Sequence, residues 1–237
     1  MRTAVIPNGI DIDRFAHATA IDPAARPWPT HAPVVGYLGR FDPVKNLPVL
    51  IEAFAALPPL CPPTWQQLNH GENPSREIPK NLSPQPPHLA LIGTSADEKD
   101  AYTLTALRNL IEKLNLRDRV HLLPATPTPE SWLKCLSCLV LPSKVEGFGL
   151  VLVEALAAGI PVVAVNTQVT REIVSEPAFG RLVDDLTPRS LVVAIQEVMA
   201  MSFDPQKARA TMAAKYGRAP MSTQFAHFFK KFCENQC

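Results

Sequence analysis

A chain of 237 residues, 46% hydrophobic and 19% charged, can fold as one large domain or two small ones and hide roughly 70% of its unfolded surface. Its net charge of +1 excludes a basic field for nucleic acid and an acidic tail, and its longest apolar run, Leu150 to Val165, is broken by Glu154, Gly159 and Pro161 before it can span a bilayer. Five scattered cysteines and a start unlike a signal peptide lead us to expect reduced thiols in a cytoplasmic protein.

Residues 1–15 are too short for a domain, and residues 22–33 read as a Pro-rich linker, so residues 1–33 are expected to be connector. Residues 34–39 form a short apolar run ending in Gly39, a buried-strand pattern. Asn46 then reads as the N-cap of a helix reaching Leu57, with Pro48 in its first turn. Proline is over-represented, with 25 in all and nine between Pro58 and Pro87. Residues 58–87 therefore read as an irregular surface insertion, a mobile excursion in preference to a lid. Strand patterns recur at residues 88–93, 120–124, 138–142, 161–165 and 181–183. Helical patterns fill residues 97–115, 130–136 and 148–158, the last stopped by Gly159. Further helices are expected at residues 188–201, 205–216 and 222–233, so that residues 34–203 form the α/β domain and 204–237 a helical tail.

Unbroken apolar strands alternating with helices predict a doubly wound parallel sheet, Rossmann-like, in the order 3-2-1-4-5-6. Ligands of such sheets bind beyond the carboxyl ends of the strands where the order reverses. Gly39 and Arg40 follow the first strand and Glu146 the fourth, and those two strands flank the reversal.

Glu146 and Glu154 bracket the run Gly147-Phe148-Gly149-Leu150 and the apolar residues after it. A lone carboxylate inside such a run costs several kcal/mol unless it is satisfied. The helix entry offers free N–H groups and a positive dipole end suited to a diphosphate, and glycines let backbone approach closely. An anion seat flanked by two acids fits a nucleotide-sugar, with phosphates in the middle and hydroxyls at both ends. Arg40 and Lys45 leave one strand end together and suit a diphosphate leaving group without a metal ion; the plain alternative is two solvated charges. Three roles are open to Glu146: bonding sugar hydroxyls, stabilising positive charge at an anomeric carbon, or capping its own helix. Glu154 suits a cis-diol, with a buried ion pair as its alternative. The Gly147-Phe148-Gly149 stretch also makes a tight strand-to-helix turn on either reading. Cys135 and Cys138 stand as a lone pair and read as core packing in preference to metal or redox chemistry. His121 reads as a strand residue.

Four segments together resemble the C-terminal, donor-binding half of a retaining glycosyltransferase of family 4, with the GT-B fold. They are Val5-Ile6-Pro7-Asn8-Gly9-Ile10-Asp11 with Phe15, Gly39-Arg40 with Lys45-Asn46, Pro142-Ser143 through Glu146 to Glu154-Ala155, and Gly159-Ile160-Pro161-Val162-Val163-Ala164. The resemblance runs from about Ala4 to Phe232. It implies that Gly39, Arg40 and Lys45 hold the donor diphosphate with the backbone of Gly147, Phe148, Gly149 and Leu150. Glu146 would contact the transferred sugar, Glu154 the ribose, and the backbone around Val120, His121 and Leu122 the base. Transfer of a hexosyl-type group would retain configuration, with no metal and no cofactor beyond the nucleotide-sugar substrate. One departure is Gln168-Val169, where such proteins carry a Gly-Gly pair. A second is the lack of the N-terminal, acceptor-binding half. That half would act in trans, with any peripheral membrane association running through it, or the chain would be a non-catalytic nucleotide-sugar module or an inactive remnant. On either a trans or a homo-oligomeric arrangement, Phe225, Phe228, Phe229 and Phe232 of the last helix would want a partner.

Overall fold

The computed structural model describes residues 5–63, 83–93 and 98–234. Its six strands are β1 Val34–Leu38, β2 His88–Gly93, β3 Val120–Pro124, β4 Cys138–Leu141, β5 Val162–Val165 and β6 Gly180–Val183. They form one parallel sheet in the order β3-β2-β1-β4-β5-β6, as the apolar runs predict. Parallel strands buried on both faces have no polar side to display, and every residue of β2, β4 and β5 is buried. The register sets Gly36 beside Ala90 and Leu139.

The helices among the described residues are α1 Ile12–Ala16, α2 Leu47–Ala55, α3 Glu98–Lys113, α4 Pro129–Leu133, α5 Leu150–Ala158, α6 Gln168–Ile173, α7 Pro188–Ala200, α8 Pro205–Tyr216 and α9 Arg218–Glu234. They sort into two packed groups: α2 lies against α3 and α7, while α5 lies against α1, α4, α6 and α8. Right-handed crossovers that run outward from β1 in one direction and from β4 in the other put these groups on opposite faces. Between them sits a core that includes Tyr37, Leu50, Phe54, Leu91, Leu139, Leu156 and Ile195, each no more than 1% exposed.

Local chemistry sets the element ends. Thr187 and Ser190 form a reciprocal capping box at α7, and Thr167 and Thr170 do the same at α6. Thus Gln168 and Val169, the departure noted above, belong to an ordinary capped helix. Asp204 accepts from Gln206 and Lys207 N–H at α8. Gly159 ends α5 in the left-handed conformation.

Several expectations change on contact with the structure. Asn46 stands at the start of α2 but does not cap it. It adopts φ 51°, ψ 37°, a conformation asparagine tolerates, and its amide donates to Val44 O at 2.9 Å and to Pro142 O at 3.2 Å. Helix α5 begins at Leu150 because Gly149, at φ 72°, turns the chain by left-handed backbone just before it. Phe148 stays outside the helix, edge-on to Tyr216 at 5.8 Å. In the stretch before β1, Phe15 and Trp28 are both 5% exposed and join the core. Ile10 bridges in parallel to Gly217, and its N–H bonds Tyr216 O at 2.8 Å. The base of the Pro-rich insertion is closed by an antiparallel bridge between Leu60 and Gln85. The excursion expected at its centre, residues 64–82, lies outside the described residues. Helix α9 begins at Arg218, four residues before its expected start, and exposes Phe225 and Phe229. The Phe232 side chain lies outside what is described. Among the described residues no helix is long and apolar enough to cross a membrane.

Candidate functional site

The loops after β1 and β4 meet where the strand order reverses. At the end of β1 the backbones crowd: Gly39 N–H bonds Ile92 O at 3.0 Å, and a Cβ on Gly93 would lie 1.9 Å from Gly39 O. Buried Tyr37 donates its hydroxyl to Arg40 O at 2.6 Å. Burial first, then the nearby Glu146 carboxylate, raises that phenol well above its usual range, so it stays a donor. The Arg40 guanidinium points into solvent, 72% exposed, with Asp42 as a loose neighbour at 3.9 Å.

Lys45 behaves differently from Arg40. The turn Pro43–Lys45, capped by the Asp42 carboxylate accepting from Val44 N–H, swings its ammonium across to the β4 loop. There Nζ donates to Glu146 Oε1 at 2.6 Å, with the two side chains only 18% and 11% exposed. Lys45 is thus the partner of Glu146 in this structure. The pair, 101 residues apart in sequence, fastens the β1 loop to the β4 loop. Asn46, through Pro142 O, makes a second fastening beside it.

Helix α5 starts just beyond Glu146. The N–H groups of Leu150 and Val151 open its first turn and have no intrahelical acceptor. Leu150 is 37% exposed, Gly147 is exposed, and a Cβ built on Gly147 meets nothing within 4 Å. The seat is thus open toward solvent at the helix's positive end. In the same loop the Ser143 hydroxyl is fully buried and has no hydrogen-bond partner among the described residues.

Glu154 lies one turn into α5, half-buried. Among the described residues its carboxylate makes no hydrogen bond or close ion pair, which sets aside the ion-pair alternative. Burial raises its pKa, Arg14 of α1 pulls it down, and Glu130 of α4 pushes it up. Both acids of the bracketed run therefore lie on the α5 side of the sheet reversal, one paired and one unpaired.

His121 and Leu122 lie within β3, short of its carboxyl end. His121 pairs with Ala90 in the middle of the sheet, three residues before β3 ends at Pro124. Its ring bonds His88 at 3.0 Å, stacks on it at 5.3 Å, and tilts against Trp28 at 5.5 Å. Burial, with His88 as a second cause, lowers its pKa to about 4, so it is a neutral packing residue. Only the carboxyl end of β3, Leu123 and Pro124, and the segment after it face the ligand edge. The missed signal was Trp28, since an aromatic in a Pro-rich stretch wants a buried partner.

Sequence reasoning also missed Arg14. Its guanidinium donates to Pro127 O at 3.0 Å and pairs with Glu130 at 2.8 Å, on the segment after β3. Cys135 and Cys138 are buried thiols outside any disulfide, and burial raises their pKa values. The hollow lined by Arg181, Asp185, Arg189 and Glu197 sits at the far sheet edge, between β6 and α7, and holds none of the residues above.

This sheet order, with a candidate site at its reversal, is that of a Rossmann-like α/β domain. A family model described as "Glycosyl transferases group 1" matches residues 19–218. The chain belongs to that family. It is 27% identical over 237 residues to the lipopolysaccharide core biosynthesis mannosyltransferase LpsB of Rhizobium meliloti (strain 1021), covering 94% of this chain and 56% of that protein. It is 29% identical over 205 residues to a D-inositol 3-phosphate glycosyltransferase of Corynebacterium urealyticum, covering 84% and 43%. Among solved structures it resembles sucrose-phosphate synthase from Thermosynechococcus elongatus, with TM-score 0.74, 24% identity, and 99% and 53% of the two chains covered. It also resembles Anabaena Alr3699/HepE in complex with UDP and glucose, with TM-score 0.72, 23% identity, and 96% and 57% covered. The chain spans about half the length of the relatives it matches.

Proposed function

We propose that this chain is the donor-binding half of a retaining family 4 glycosyltransferase, and that it binds a nucleotide-sugar for hexosyl transfer without a metal ion. The observation that carries this reading is the open, glycine-lined start of α5 between Glu146 and Glu154, with Lys45 of the β1 loop reaching Glu146 across the sheet reversal. The UDP and glucose bound to the Anabaena neighbour support it.

In this reading the diphosphate sits over the first turn of α5, with the Arg40 guanidinium free to reach it. The transferred sugar lies against Glu146 and Lys45, and the ribose against Glu154. The anomeric carbon–oxygen bond breaks toward the diphosphate, and a bond to the acceptor oxygen forms on the same face. The acceptor proton leaves with the diphosphate. Arg40 and the helix N-terminus neutralise the departing charge, while Glu146 faces the positive charge growing on the sugar ring. Lys45, shared between Glu146 and the incoming phosphate, couples donor entry to release of that carboxylate. The acceptor and the remaining wall of the cleft come from an N-terminal half, with the exposed Phe225 and Phe229 of α9 as its landing place.

Calorimetric titration with UDP-, GDP- and ADP-sugars tests the reading, with wild type and Glu154→Ala compared. One donor is expected to bind wild type and to lose about tenfold in affinity on the substitution. Absence of binding by all three removes the proposal. The 2.6 Å engagement of Glu146 by Lys45 favours a second reading, a nucleotide-sugar module without catalysis. Turnover of donor and acceptor by the isolated chain would exclude it.

A further inference from the structure

Arg14 belongs to a short helix of the segment that precedes the sheet, and its guanidinium reaches the segment after β3 and helix α4. One nitrogen, Nη2, donates both to Pro127 O at 3.0 Å and to Glu130 Oε2 at 2.8 Å. Pro127 lies between β3 and α4, and Glu130 is only 13% exposed. Asp11 holds Arg14 in place from its own side: its carboxylate caps α1 by accepting from Arg14 N–H at 3.1 Å and pairs with Arg218 of α9 at 3.2 Å. Both chain crossings at this end of the molecule, Ile10 and Gly217, are joined by a bridge beside it. Helix α1 packs on α5, and among the described residues Arg14 lowers the Glu154 pKa while Glu130 raises it, both against the larger effect of burial.

We propose that Arg14 is a positioning residue of the nucleoside pocket. It clamps the segment after β3 onto the connector helix and, from α1 packed on α5, places a cation toward the Glu154 carboxylate. This rests on the donor-binding reading above and adds to it a residue that no motif in the sequence marks.

Among the described residues, several other cations of the helices packed on α5 are engaged elsewhere. From α4, Glu130 faces Glu154 with its own negative charge, while Lys134 bonds backbone carbonyls at the far end of α5. From α6, Arg171 bonds Asn166. From α8, Arg209 reaches Ala158 O and Lys207 pairs with Glu176. Strands β4 and β5 carry no charged residue. A carboxylate that accepts ribose hydroxyls must be ionised, and burial works against that state. Arg14 offsets the burial directly, and Glu130 both anchors Arg14 and opposes it.

The test is titration of the chain with UDP, GDP and ADP, and with pyrophosphate, between pH 5 and 8. Wild type, Arg14→Gln, Arg14→Lys and Glu130→Gln are compared. For the nucleotide that binds, Arg14→Gln is expected to weaken affinity about fivefold at neutral pH and to move the acid limb of binding to higher pH. Pyrophosphate affinity is expected to stay unchanged, because that ligand does not reach Glu154. Arg14→Lys keeps the cation and restores the acid limb. Glu130→Gln removes the opposing charge and moves the limb to lower pH. A loss that is uniform across pH and extends to pyrophosphate overturns the proposal, as does an unchanged profile in Arg14→Gln. If Arg14→Gln does not fold, the opposite shifts of the other two variants decide. Failure of wild type to bind any nucleotide sinks the donor-binding reading itself, whereas binding that ignores Arg14 sinks only this inference.

Discussion

The two ends of α5 are built in opposite ways. The N-terminal end enters through Gly149, leaves its first N–H groups without intrahelical acceptors, and opens to solvent at Gly147. The C-terminal end is saturated: Ala158 O accepts from Lys134 Nζ at 2.8 Å and from Arg209 at 3.4 Å, and Lys134 also holds Ala16 O of α1 at 3.0 Å. A buried ammonium is costly, but two carbonyl ends of helices supply the negative partial charge it needs. The difference teaches that a helix can be anchored at one end by groups spent entirely on structure while its other end stays available to a ligand. The acids follow the same division, since Glu146 lies beyond the open end and Glu154 within the helix.

The comparison breaks first at the open end. Glu146→Gln removes half of the 2.6 Å pair and the negative charge facing the sugar. Glycosyl transfer by the protein joined to its other half is expected to fall about 100-fold or more, read from initial rates with donor in excess. Retained activity would show that the pair only fastens two loops.

The sealed end is tested by pH. Burial, with Arg209 as a second cause, lowers the Lys134 pKa from 10.5 to about 8. Between those values the unfolded chain binds the extra proton, so stability rises with pH across the window and the gain is complete above it. Relative to Lys134→Met, wild type is expected to gain about 2 kcal/mol from pH 8 to 10.5 in urea melts. Parallel curves for the two proteins would mean that the ammonium is well solvated.

Within the helix, Glu154→Gln separates stability from binding. A carboxyl whose folded pKa is raised is a cost once ionised, and that cost is relieved as pH falls through the folded value. The variant is therefore expected to melt at a higher temperature than wild type at pH 7 and to bind nucleotide about tenfold more weakly. A lower melting temperature would show that the carboxylate has a partner in the folded chain. The smallest effect belongs to Ser143→Ala, which removes a buried hydroxyl without a partner. It is expected to change stability by less than about 1 kcal/mol, in the stabilising direction, as read by denaturant midpoint.

The sheet was legible because its strands are unbroken apolar runs, and their alternation with helices leaves one common winding. Gly159 and Pro205 mark helix boundaries in the sequence for reasons that act within a few residues. The bracketing of the α5 entry by Glu146 and Glu154 was legible too, together with the place of that entry at the reversal. His121 shows the limit of such reading: its position on β3 was correct, but its depth along the strand and its stack on His88 and Trp28 were not accessible.

Periodicity, helix stops and the placement of acids around a glycine turn are local properties, and the amino-acid order alone settled them. What each charge does was settled by folding. Lys45 meets Glu146 across 101 residues and Arg14 meets Glu130 across 116, and Lys134 becomes a buried donor only when two helix ends arrive above it. An ion pair forms wherever packing delivers two side chains to one place, and no short-range pattern in the chain encodes that meeting.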